Sequence, residues 1–141
     1  MSDTTSEALS VDALAAACKA AARELSTLST ETKNRTLRRM ADALEADEEA
    51  ILAANGKDVS AAREEGLDDA LIDRLVLNPD RITKMADALR DVASFADPVG
   101  EMGGTTRRPS GIEVGTMRIP LGVIGMIYEA RPNVTADAAG L

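Results

Sequence analysis

The chain has 141 residues, with 24 acids against 16 bases and a net charge of −8, a balance that repels phosphate backbones and anionic lipid and argues against nucleic-acid or membrane partners. A single cysteine, Cys18, and the absence of histidine exclude a disulfide framework, a cysteine cluster for zinc and the usual base of a Ser-His or Cys-His pair. The length suits one ordinary domain, yet the apolar share of 45% is dominated by alanine, with Phe95 and Tyr128 the only aromatics, so each buried side chain removes little area from water.

The N-terminal MSDTTSEALSVDA carries acids where a secretory signal would carry positive charge, and no apolar run approaches membrane-spanning length. A cytoplasmic protein is the expectation. From Ser10 to Leu28 the spacing of Val11, Leu14, Ala17, Cys18, Ala21, Leu25 and Leu28 predicts a helix, with Ser10 as N-cap and Asp12 in its first turn. Ser29 or Thr30 caps a second helix, whose stripe is Leu37, Met40, Ala41 and Leu44, with Arg35, Arg38 and Arg39 largely off it.

Acids at Asp47 to Glu49 interrupt the pattern, and Asn55-Gly56 supplies the left-handed residues that commonly end a helix. A second stop is expected at Gly66, with KDVSAAREE helical between the two and LDDALIDRLVL forming a short helix up to Asn78. Asn78-Pro79-Asp80 then reads as N-cap, first-turn proline and first-turn acid of a helix bearing Ile82, Met85, Ala86, Leu89, Val92, Ala93 and Ala96 on one face, ended by Asp97-Pro98.

Composition changes after that helix. Gly100 to Gly104 brings flexibility, and Thr105 to Arg108 and Ile112 to Ile119 flank the turn cluster PSG, predicting a β-hairpin. Pro120 interrupts the ladder, and Leu121 to Tyr128 is an almost continuous apolar run suited to a strand covered on both faces, as in a parallel α/β sheet. Asn133 offers an N-cap for VTADAAGL. Such a strand needs neighbouring strands and covering helices that this sequence does not supply, so the residues read as the front portion of a larger protein. Taken alone, the chain is expected to fold marginally and to aggregate.

Most chemistry-bearing residues have an ordinary structural explanation. Gly122 and Gly125 form GxxG, but inside an apolar run and not at a strand-to-helix turn, so close approach of a neighbouring backbone is the better reading than a phosphate loop. Cys18, among alanines on an apolar helix face, reads as a small core residue and not as a nucleophile. Arg35, Arg38 and Arg39 read as a solvated face paired with Glu31 and Asp42, one turn from Arg35 and Arg38 respectively. The neighbouring acids at 48–49, 64–65 and 68–69 point in different directions on a helix and make no acid-base pair. The sequon NVT at Asn133 has no meaning without a secretory route, and no metal site is expected.

The knot Tyr128-Glu129-Ala130-Arg131-Pro132-Asn133 differs, because it falls at the carboxyl end of the predicted strand and before a helix, where open α/β sheets bind ligands. The residues alone leave two readings open: a functional site, or a local arrangement in which Glu129 pairs with Arg131, Pro132 sets the turn and Asn133 caps.

The stretch MRIPLGVIGMIYEARPNVTADAAGL closely resembles the segment that opens the cofactor-binding domain of the gamma-glutamyl phosphate reductase family, the glutamate-5-semialdehyde dehydrogenases of the aldehyde dehydrogenase superfamily. The stretches NRTLRRMADALEADEEAILAANGKDVSAAREEGL, LIDRLVLNPDRITKMADALRDVASFADPVGE and RRPSGIEVGTMRIP resemble the same family, in its order and spacing, from about Glu31 to Leu141. The resemblance implies an aldehyde dehydrogenase-like α/β fold. Its parts would be an N-terminal helical layer over residues 1–98, a β-hairpin oligomerisation element over 99–120, and the first strand of a Rossmann-like NADP domain over 121–141.

It further implies an NADPH-dependent reductase that converts gamma-glutamyl phosphate to glutamate 5-semialdehyde and phosphate in proline biosynthesis, acting as a homo-oligomer and leaving room for glutamate 5-kinase as a partner. In the family a cysteine thiolate displaces phosphate to give a thioester, which hydride then reduces. That cysteine lies downstream in a catalytic domain absent here, and Cys18 does not occupy its motif, so the chain alone is expected to be inactive. Tyr128, Glu129, Arg131, Pro132 and Asn133 are the expected retained edge of the active-site crevice, with Asn133 donating to a substrate oxygen and Arg131 steering the acyl phosphate or glutamate carboxylate. The alternative is a free-standing, non-catalytic helical and hairpin module that dimerises or binds a full-length reductase.

Overall fold

The computed structural model of the chain describes residues 10–129 and 131–141. Most of the N-terminal stretch read above for a leader, and Ala130 of the knot, therefore lie outside the described residues. Six helices and one strand pair are present among them: α1 Val11–Leu25, α2 Thr30–Ala46, α3 Glu48–Glu64, α4 Asp69–Leu75, α5 Pro79–Val92, β1 Thr106–Arg107, β2 Glu113–Val114 and α6 Asn133–Gly140. No helix among these residues is long and apolar enough to cross a membrane. They fall into two compact units, one comprising the described part of residues 29–96 with 126–141, the other the described part of residues 1–28 with 97–125.

The first unit is helical, and the starts of α2, α4 and α5 are made by side chains that the sequence places there. Ser29 accepts from the Thr32 amide at 3.2 Å, Asp68 from Leu71 at 2.8 Å and Asn78 from Arg81 at 2.8 Å, each satisfying a backbone donor that a helix N-terminus leaves open. Pro79 occupies the first turn of α5, where its missing N–H costs nothing. Helices α2 and α5 pack through the predicted stripes: Ala41, Ala86 and Leu89 form a buried cluster against Leu37, Met40 and Leu44. Alanines at the contact let the two backbones approach closely. Ile82 is fully buried, removing from water a side chain worth about 1.5–3 kcal/mol.

Outside that contact an arginine clamp joins the same two helices. Arg90 donates to both carboxylate oxygens of Glu45, at 2.9 and 2.6 Å, to Asp42 at 3.0 Å and to Asp87 at 3.3 Å. The hydrogen bond from Arg90 holds the Glu45 carboxyl below its ordinary 4.5 and raises the guanidinium's own pKa. Asp42 thus pairs with Arg90 and not with Arg38, and no Glu31–Arg35 pair forms among the described residues. The expected pairing along α2 is corrected: a planar, two-pronged guanidinium from α5 outcompetes an exposed pair one turn away.

A second cluster, Val59, Ala62 and Ile72 with Leu67, Leu75 and Val76, joins α3 to α4. Gly66, at φ +80°, ends α3 as expected, with Leu67 N–H donating to Ala62 O and Gly66 N–H to Arg63 O, the paired bonds of a left-handed helix stop. The stop expected at Asn55-Gly56 does not occur. Helix α3 runs through both residues, because Asn55 is needed elsewhere: its buried amide donates to Leu75 O at 2.9 Å and accepts from Leu77 N–H at 2.7 Å. Those bonds tie the middle of α3 to the turn between α4 and α5, and they outweigh the roughly 1 kcal/mol that a mid-helix glycine costs.

In the second unit, Ser10 caps α1 by accepting from the Ala13 amide at 3.2 Å. The apolar stripe of α1 is exposed: no residue of the helix is buried, and Val11 is 81% accessible. Cys18 is accordingly exposed and not a core residue, since no element in the described chain covers the face it occupies. The hairpin forms around its PSG turn, with Thr106 opposite Val114, Arg107 opposite Glu113, and Gly111 at φ +86°. An isolated bridge pairs Met102 with Met117, and Gly103 lies so close to Thr116 that a Cβ there would collide with its hydroxyl. The run from Leu121 to Tyr128, which crosses from one unit into the other, pairs with no strand among the described residues and is exposed along its length, Leu121 at 88% and Ile127 fully. The expected Rossmann-like first strand is therefore not formed, for want of the neighbouring strands that would satisfy its backbone.

Candidate functional site

Of the knot residues, Arg131, Pro132 and Asn133 line a groove of about 460 Å³ whose remaining walls come from α4, α5, the turn between them and Asp137 of α6. Tyr128 stands beside α6, its hydroxyl 2.6 Å from Thr135 Oγ1. Glu129 and Arg131 are exposed, and no ion pair joins them among the described residues, which removes the salt-bridge part of the purely structural reading. Asn133 is not the N-cap of α6. It is the first helical residue, with Pro132 before it and no side-chain cap bond, while Val134 N–H donates to Arg131 O at 3.1 Å. Proline has no N–H to donate and presets its φ at −62°, so the turn is already helical one residue earlier than the capping rule requires.

Freed from capping, the Asn133 amide nitrogen donates to Asp137 Oδ2 at 2.9 Å, one turn along α6. A primary amide has two N–H donors and a carbonyl, so this bond fixes the half-buried side chain at the groove wall and leaves a second N–H to serve a bound oxygen. Helix α6 is itself held by α5: Ala136 is buried, and Gly140 lies so close to Leu89 that a Cβ would strike its side chain.

The groove collects charge that the sequence reading did not connect. Arg74 and Lys84 reach it from α4 and α5, together with Asp73, Arg81 and Asp137. Arg81 is consumed structurally: it donates to the backbone carbonyls of Asp73 and Val76 and to the Asp73 carboxylate at 3.2 Å, closing the C-terminal end of α4. A second groove, lined by Met40, Leu44, Ile51, Met85, Leu89 and Ala136 among others, is mostly apolar and shares Leu77, Met85 and Pro132 with the first. Among the described residues no group of three or more acids, cysteines or histidines could hold a metal ion.

No family model matches the chain. Over all 141 residues it is 98% identical to gamma-glutamyl phosphate reductase of Salinibacter ruber, of which it covers 32%. Over 128 residues, 91% of the chain, it is 57% identical to the enzyme of the same name from Xylella fastidiosa, covering 31% of it. Over 134 residues it is 54% identical to that of Moorella thermoacetica, covering 32%. Crystal structures of gamma-glutamyl phosphate reductase from Thermotoga maritima and Saccharomyces cerevisiae superpose with TM-scores of 0.84 and 0.83 at 39% and 34% identity; each covers 90% of this chain, which spans 31% and 32% of theirs. In sequence and in fold, the chain is related along its length to the gamma-glutamyl phosphate reductases, of which it spans about a third.

Proposed function

We propose that this chain is the N-terminal part of an NADPH-dependent reductase that converts gamma-glutamyl phosphate to glutamate 5-semialdehyde and phosphate in proline biosynthesis. The 98% identity over its whole length to an enzyme bearing that name carries the reading. In this reading residues 1–98 are the helical layer, 99–120 the oligomerisation hairpin, and 121–141 the opening of the cofactor domain. The nucleophilic cysteine belongs to the rest of the enzyme; Cys18, exposed on α1 with no histidine in the chain, has nothing to activate it.

The residues present do not by themselves fit a dinucleotide. The run 121–128 pairs with no strand among the described residues, and it offers no glycine-rich turn leading into a helix. No step through the nicotinamide is therefore assigned to this chain. Its contribution is to bind and orient. Arg131 supplies a permanent charge for the phosphate or carboxylate, and Asn133, held by Asp137, offers its remaining N–H to the acyl oxygen as negative charge develops there. Pro132 sets the wall against which the acyl group lies.

Replacing the matching third of the Salinibacter ruber reductase with this chain tests the reading. Phosphate-dependent reduction of NADP by glutamate 5-semialdehyde should survive in the hybrid, be absent from the isolated chain, and fall about 100-fold or more in kcat with Asn133→Ala. A hybrid that folds but has no such activity would overturn it. A second reading, a free-standing module that dimerises or binds a full-length reductase, draws on the exposed apolar residues of the hairpin region, such as Ile112 and Ile119. It predicts a stable dimer of the isolated chain by light scattering, where the first reading requires none.

A further inference from the structure

Arg74 of α4, Lys84 of α5 and Arg131 just before α6 line one groove of the same helical unit, and none of them has a carboxylate partner among the described residues. The fourth cation, Arg81, is accounted for by the end of α4, and the Asp73 carboxylate by Arg81. The Asp137 carboxylate holds Asn133. What is left over on the groove walls is three unspent positive charges on a chain whose net charge is −8. Like charges gathered at one place repel, and acids are plentiful enough in this sequence to have neutralised them, as Glu45, Asp42 and Asp87 do for Arg90.

From this geometry we infer that the α4–α5–α6 groove binds a small anion bearing a carboxylate or a phosphate, with Arg74 and Lys84 as ligand contacts in addition to Arg131. The inference deepens the reductase reading, on which it rests for the natural ligand alone: a substrate with a carboxylate at one end and an acyl phosphate at the other. Arg74 and Lys84 would hold one of its two anionic groups. The groove's volume of about 460 Å³ lies within the range of small-molecule sites.

The test is a titration of the 15N-labelled 141-residue chain with inorganic phosphate and, separately, with glutarate, followed through its amide spectrum at low ionic strength. Saturable shifts confined to residues around 74–88 and 131–137 are expected, weakening with added salt. Phosphate alone would assign the groove to the phosphoryl end of the ligand, and glutarate alone to the carboxylate end. Arg74→Gln with Lys84→Gln, both at exposed positions, should weaken binding by about tenfold or more. Arg74→Lys, which keeps the charge, should retain most of it, and the dispersion of each spectrum reports whether the variant is folded. Saturable shifts from neither anion, or undiminished binding by the folded double variant, would overturn the inference while leaving the hybrid enzyme's activity, and the reductase reading with it, untouched.

Discussion

The helices of residues 29–96 and the segment of residues 97–128 obey different rules. In the first, most elements are specified within one or two turns by a capping side chain, an apolar stripe or a stop. The contacts that complete it come from neighbours a few tens of residues away, as when Arg90 reaches Asp42 and Glu45. In the second, the hairpin closes locally around Gly111, but the apolar run that follows depends on strands it does not meet, and its side chains face solvent. Local structure survives without distant partners, whereas a sheet strand does not.

Substitutions should divide along the same line. The largest effect is expected for Leu89→Ala, which empties a site 2% exposed between α2, α5 and α6 and should cost about 3 kcal/mol in denaturant unfolding. Asn55→Ala should follow at about 2 kcal/mol, because it leaves Leu75 O and Leu77 N–H without their partner; Asn55→Asp, which keeps the acceptor and loses the donor, should recover little.

The Arg90 clamp predicts a smaller effect that depends on pH. The folded-state pKa of Glu45 is depressed, so its contribution is present above the ordinary 4.5 and is lost as pH falls through the lower folded value. Arg90→Gln should therefore narrow the stability difference between neutral pH and about pH 3, with the two proteins converging on the acid side. At the far end of the scale, Leu121→Ala should change stability by no more than about 0.5 kcal/mol, since Leu121 is 88% exposed. A large loss there would mean that the run is covered after all.

How far the sequence could be read follows from the range of the forces. Ser10, Ser29 and Asn78 announce helix starts because the bonds they make lie three residues ahead, and the stripes of α2 and α5 announce the core because helical period is local. Asn55-Gly56 misleads because its fate is decided at Leu75 and Leu77. Cys18 misleads because a stripe says only that a face wants cover, not that cover exists. At the groove, Arg131 and Asn133 were singled out by their place where a helix begins, whereas Arg74 and Lys84 were not. They sit on separate helices, and nothing in their spacing joins them to residue 131; the one local hint is that no acid lies three or four residues from Arg74 in either direction.

Hydrogen exchange along the backbone measures the contrast most directly. The amides of Ile82 to Leu89 in α5 should exchange slowest, protected by the full stability of the helical unit, while those of Val123 to Tyr128 should exchange at close to the rate of an unstructured peptide. Protection at Val123 to Tyr128 equal to that in α5 would contradict the account, for it would mean that the apolar run has found its sheet within these 141 residues.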